Sequence, residues 1–145
     1  WLFSGGICMA MNPVVHFEMS ASDQKRMVEF YTIVFGWKAQ QMGPEMGNYV
    51  VVQTGETDEK GMPQKPGMIN GGFYQRTADQ SIQYPSIVVS VENLQEAIRK
   101  IRAAGGKVEM EPMDIPGIGL FVSAFDTEGN RISVLQPLAM QGDGK

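Results

Sequence analysis

Val15-His16-Phe17-Glu18-Met19-Ser20-Ala21-Ser22-Asp23, followed by Met27, Phe30, Tyr31 and Val34, carries the fold in outline. Val15, Phe17 and Met19 alternate with His16, Glu18 and Ser20, the two-residue period of a half-buried strand. Ser20 to Asp23 then offer helix-capping side chains. Met27, Phe30, Tyr31 and Val34 fall at i, i+3, i+4 and i+7, the stripe of an amphipathic helix. Gly36 stands where a left-handed residue ends such a helix.

The same plan returns 70 residues later. Pro85 to Val91 is strand-like, with Ile87, Val89 and Val91 on one side and Ser86, Val88 and Ser90 on the other. Glu92-Asn93 offers a cap, Leu94, Ala97, Ile98 and Ile101 form a second stripe, and Gly105-Gly106 stops it. A constant shift lays Phe17 on Ile87, Met19 on Val89, Asp23 on Asn93, Tyr31 on Ile101 and Gly36 on Gly106. Each pair shares a structural task.

Further strands are expected at Trp37 to Met42, Asn48 to Gln53 and Met68 to Tyr74, with a polar loop from Thr54 to Gly67. In the second half they are expected at Lys107 to Met110, Leu120 to Phe125 and Arg131 to Gln136, the last two joined by the Asp126–Asn130 turn. The fold class is therefore α+β: two tandem β-α-β-β-β modules, about 11–76 and 82–137, forming one curved mixed sheet with helices on its outer side. A ferredoxin-like dimeric barrel would imitate part of this pattern. Three strands between the first helix and Pro85, and a hairpin after Lys107, separate the two.

Over 145 residues, 43% are hydrophobic and 19% charged, a globular balance with a net charge of −4. The scattered Lys and Arg give no footprint for nucleic acid, and no segment reaches the roughly 20 apolar residues of a membrane span. Cys8 is the single cysteine, so an intrachain disulfide and a cysteine-based zinc site are excluded. A cytoplasmic protein fits this composition. Residues 1–10 read as a leader or a vector-derived segment, 11–140 as a single domain and 141–145 as a tail.

Three strings, Pro13 to Met19 with Asp23, then Phe30-Tyr31, then Phe35-Gly36-Trp37, resemble the first module of the glyoxalase/bleomycin resistance/dioxygenase (vicinal oxygen chelate) superfamily. Ile115-Pro116-Gly117 through Phe121, and Asp126-Thr127-Glu128-Gly129-Asn130-Arg131-Ile132, resemble the closing hairpin of its second module. The resemblance runs from about Met11 to Pro137. It implies a divalent metal in the concavity of the sheet, held by His, Glu or Gln from both modules, and paired modules in a homodimer.

Carried over position by position, the metal set is incomplete. His16 stands at the first ligand place. The equivalent place in module two is Ser86, the last-strand carboxylate place is Ser133, and the module-one closing strand, Ile69-Asn70-Gly71-Gly72-Phe73, offers no evident ligand. His16 is the single histidine, so one chain cannot build a two-histidine centre.

The expectation is a small-molecule pocket in the sheet concavity with no complete metal site, serving ligand binding or metal-independent chemistry. His16, Glu18, Ser86, Ser133 and Phe121 are its candidate binding residues, with His16 and Glu18 also the candidate catalytic pair. Phe125, Trp37 and Tyr49 are further candidate aromatic walls. The alternative is a metal-dependent lyase, isomerase or dioxygenase using His16 and Glu18 with ligands not yet located, some from a partner chain. Gly71-Gly72 and Gly117-Ile118-Gly119 read as sites of tight turns or close approach rather than phosphate loops.

Overall fold

The computed structural model describes residues 11–78 and 84–138. The leader and tail expected at 1–10 and 141–145, and Cys8, lie outside the described residues. In chain order the elements are β1 (Val14–Ala21), α1 (Gln24–Phe35), β2 (Lys38–Gln41), β3 (Val50–Gln53) and β4 (Asn70–Gln75). They continue with β5 (Ser86–Ser90), α2 (Leu94–Ala103), β6 (Met113–Ile115), β7 (Gly119–Phe125) and β8 (Arg131–Pro137).

One eight-stranded mixed sheet, ordered β2-β3-β4-β1-β5-β8-β7-β6, curls into a half-barrel. Strand β1 runs parallel to β4, and β5 parallel to β8; the other neighbours are antiparallel. Three strands separate α1 from β5, which removes the ferredoxin-like alternative. The modules meet where β1 lies against β5, with Phe17 directly opposite Ile87. Those residues are also related by the 70-residue shift, so the half-turn relating the modules passes through this pair.

Both helices start as their sequences direct. Asp23 accepts from the Arg26 amide at 3.0 Å, and Asn93 from the Glu96 amide at 3.0 Å. Gly36 takes φ 70 and closes α1. Gln136 of β8 accepts from the Leu94 amide at 2.8 Å, tying the start of α2 to the sheet.

Each helix covers its own hydrophobic cluster on the outer face. Phe73, Val50 and Val52 form the first, with Phe17, Met19, Met27, Val28, Tyr31 and Trp37 packed around them. Leu94, Ile98, Val122, Ala124 and Val134 belong to the second. The inward face of α1 differs from the expected stripe. Met27, Val28 and Tyr31 point to the sheet, while Phe30 and Val34 are 54% and 53% exposed. Trp37, beyond the helix end, stacks on Tyr31 at 4.7 Å and packs against the same cluster.

The strand expected at Lys107 to Met110 is also displaced. Lys107 makes only an isolated bridge to Phe125, and the edge strand forms later, at Met113–Ile115. Pro112 has no amide to give a ladder. Val108 meanwhile turns into the core, its carbonyl taken by Arg102 at 3.1 Å. The hairpin itself is present as β6–β7.

Candidate functional site

Alternation along β1 sends Phe17 and Met19 to the helix side, and so places His16 and Glu18 on the concave side. Cross-strand partners share a face. Glu18 pairs with Ser86 and His16 with Val88; Val88 lies beside Ser133, and Ser133 beside Ser123. Phe121 follows two residues from Ser123 on the same side. The structure thus brings His16, Glu18, Ser86, Ser133 and Phe121 to one concave cup. Phe125, opposite Arg131, shares it. Trp37 does not, because it packs between Tyr31 and Phe17 on the helix side.

Two cup residues have roles that the sequence reading missed. The Tyr49 hydroxyl lies 2.8 Å from His16 Nε2, donating or accepting according to the imidazole tautomer. Room for the phenol comes from Gly72, where a Cβ would sit 1.8 Å from the Tyr49 oxygen. Gly71 performs the same service on the other face, where a Cβ would stand 2.3 Å from the Phe17 ring. The Gly-Gly pair therefore marks close approach, of aromatic rings rather than of strands. Period-two alternation through Tyr49, Val51 and Gln53 was the available signal.

Arg131 is the second. Its Nη2 donates to Ser123 Oγ at 2.9 Å, and its guanidinium carbon lies 6.0 Å from the centre of the Tyr74 ring. It shares the alternation of Ser133 and Leu135 on β8, which places it in the cup.

Burial governs the electrostatics. It holds the His16 pKa down, from 6.5 to about 4, and so keeps the ring neutral. It pushes the Tyr49 phenol up, helped by the charges of Glu18 and Tyr74. It also raises Glu18, against the pull of the Arg131 guanidinium.

The sign for stability follows. Between about pH 4 and 6.5 the unfolded chain binds a proton at residue 16 that the folded chain refuses. The His16 contribution is complete above pH 6.5 and falls by about 3 kcal/mol as the pH drops to about 4. Glu18 acts oppositely, because protonation relieves the cost of its burial as pH falls through its raised pKa. Melting temperature against pH should show weaker acid destabilisation in His16→Gln than in the wild type. Parallel curves would exclude His16 as the group responsible.

Toward the metal that the resemblance implies, the described cup offers two strong donors, His16 and Glu18, fewer than the three or more protein ligands of an ordinary catalytic site. His16 Nε2 is engaged by Tyr49, Gly72 supplies no side chain, and Ser86 and Ser133 are weak neutral donors. Among the described residues, no three His, Cys, Asp or Glu side chains gather in a metal-binding group.

Comparison with known proteins agrees with the fold. The Glyoxalase/Bleomycin resistance protein/Dioxygenase superfamily matches residues 14–134. The "Putative glyoxylase CFP32" of Mycobacterium tuberculosis (strain CDC 1551 / Oshkosh) is 31% identical over 115 residues, 77% of this chain. Its Mycobacterium bovis counterpart matches equally. The chain spans only 39% of the length of these relatives.

Among solved structures, methylmalonyl-CoA epimerase bound to methylmalonyl-CoA and NH4+ superposes with a TM-score of 0.65 at 15% identity. That superposition covers 90% of this chain and 97% of the epimerase. The M. tuberculosis epimerase gives 0.60 at 15%, covering 86% and 87%. A Streptomyces coelicolor epimerase with 2-nitronate-propionyl-CoA gives 0.65 at 16%, covering 90% and 100%. At these identities the likeness is one of fold.

Proposed function

Because this chain belongs to the glyoxalase/bleomycin resistance protein/dioxygenase superfamily, we propose that it takes a small organic molecule in the concave cup, by ligand binding or metal-independent chemistry. The observation that carries this reading is the placement of Tyr49. Its phenol occupies the space over Gly72 and engages His16 Nε2. Glu18, Ser86, Ser133 and Phe121 complete the proposed binding set. The acyl-CoA molecules bound by the epimerases show that this fold accommodates small organic ligands elsewhere.

His16 and Glu18 are the proposed acid–base pair if the cup is catalytic. Neutral His16 can exchange a proton with Tyr49, and Glu18, lifted by burial, holds a proton more readily than a surface carboxylate. A cytoplasmic, dimer-forming protein with one domain over 11–140 belongs to the same proposal. Among the described residues, no helix is long and apolar enough to cross a membrane.

Titration of the purified chain with Zn²⁺, Mn²⁺ and Mg²⁺, followed calorimetrically, tests the metal-free reading. Wild type and His16→Ala are expected to behave alike, with no stoichiometric binding. Stoichiometric uptake by the wild type that His16→Ala abolishes would restore the metal-dependent lyase, isomerase or dioxygenase.

A further inference from the structure

The module-two side of the cup holds two polar groups with nothing to bind. Arg131 Nη1 is buried and has no hydrogen-bond partner, and neither has the hydroxyl of Ser133, a residue only 1% exposed. Each such group costs about 1–3 kcal/mol when left unmade, and native proteins leave few of them without a water, ion or ligand.

Their placement is not haphazard. Ser123 and Ser133 are direct cross-strand partners, and Arg131 Nη2 is fastened to Ser123 Oγ at 2.9 Å. That bond keeps the guanidinium on the Ser133 side of the cup and leaves the other arm of its fork free. Glu18 does not neutralise it by contact, since the ion pair found among the described residues is Glu96–Arg99. Phe121, Leu135 and Val88 share the concave face around these donors.

We propose that this half of the cup is a carboxylate site, in which Arg131 Nη1 and Ser133 Oγ donate to the carboxylate of a small organic acid whose apolar part lies against Phe121, Leu135 and Val88. The inference rests on the cup being the ligand site and names its ligand class. A guanidinium arm and a hydroxyl match two carboxylate oxygens, and charge-assisted bonds of this kind are about twice as strong as neutral ones. Burial raises the Glu18 pKa against the pull of Arg131, which lessens its opposition to an anionic guest.

Benzoate and benzamide, equal in shape and differing in charge, are the probes, followed by amide and side-chain NMR shifts of the full chain. Benzoate should bind at least about tenfold more tightly than benzamide and shift His16, Tyr49 and Phe121. Arg131→Gln should abolish the preference while leaving benzamide within about twofold, and Ser133→Ala should weaken benzoate severalfold. Arg131→Lys, which keeps the charge without the fork, should fall between. If Arg131→Gln does not fold, the Lys and Ala variants carry the test.

Equal binding of the two probes in the cup would overturn the carboxylate site and leave the cup reading standing. So would a benzoate preference untouched by the folded variants. Shifts confined to another face, or none up to the solubility of benzoate, would overturn both.

Discussion

Phe73→Ala is expected to remove about 3–5 kcal/mol of stability, the range for deleting a fully buried aromatic ring. Phe73 is 0% exposed and sits between Val50 and Val52, which are 2% and 1% exposed. The Tyr31 ring packs against it at 5.4 Å, and its neighbours in the sheet are Met19 and Val50. Its own carbonyl accepts from Gln24 at 3.3 Å, so the same residue ties β4 to the start of α1. Aromatic stacking around Tyr31 and Trp37 leaves little freedom for collapse into the hole. For a domain of this size the melting temperature should drop by roughly 10 °C or more. Denaturant unfolding measures the loss directly; a change below about 1 kcal/mol would show that the cluster repacks. Because Phe73 adjoins Gly72, a loosened β4 should also disturb the Tyr49–His16 contact.

Gly119→Ala is expected to be as damaging for a different reason. Gly119 has φ 148, and a Cβ there would stand 2.0 Å from the Gln136 carbonyl oxygen and 3.0 Å from the Pro137 Cα. Both obstacles are backbone, so no rotamer relieves them. Strain and overpacking each contribute about 1–3 kcal/mol, giving a loss of about 3 kcal/mol or more. The displaced strand also carries Gln136, whose side chain caps α2 at Leu94. Gly117→Ala is the control. Nothing lies within 4 Å of its Cβ position, so only the left-handed backbone penalty of about 1–2 kcal/mol remains. Similar unfolding curves for the two variants would refute the steric argument.

The duplicated plan was legible because it rests on local signals. Alternation in β1 and β5, the Asp23 and Asn93 caps and Gly36 are all fixed by neighbours in sequence. Phe30 and Val34 leave the expected stripe because helical period alone does not say which residues another element reaches. The edge strand slips from Lys107–Met110 to Met113–Ile115 because pairing with β7, not local propensity, decides where an edge forms. For the cup, alternation sufficed to assemble His16, Glu18, Ser86, Ser133 and Phe121 on one face. The engagement of His16 by Tyr49 joins residues 33 positions apart and depends on a side chain that Gly72 lacks. The free arm of Arg131 was equally invisible, since a missing partner leaves no trace in sequence.

The half-turn through Phe17 and Ile87 bears on handedness. Register carries His16 onto Ser86 and Gly72 onto Ser133, yet the side chains there no longer correspond. A cup with matching walls would accept a flat guest in two orientations of equal energy. Here one wall is a closed, neutral phenol–imidazole couple and the other presents an open cationic fork. A difference of about 1.4 kcal/mol between the two orientations already fixes one of them ten to one. If the proposed site holds a guest by its acid end and the phenol–imidazole wall also contacts its far end, the guest would present a single face to His16 and Glu18, and the cup would then tell mirror images apart.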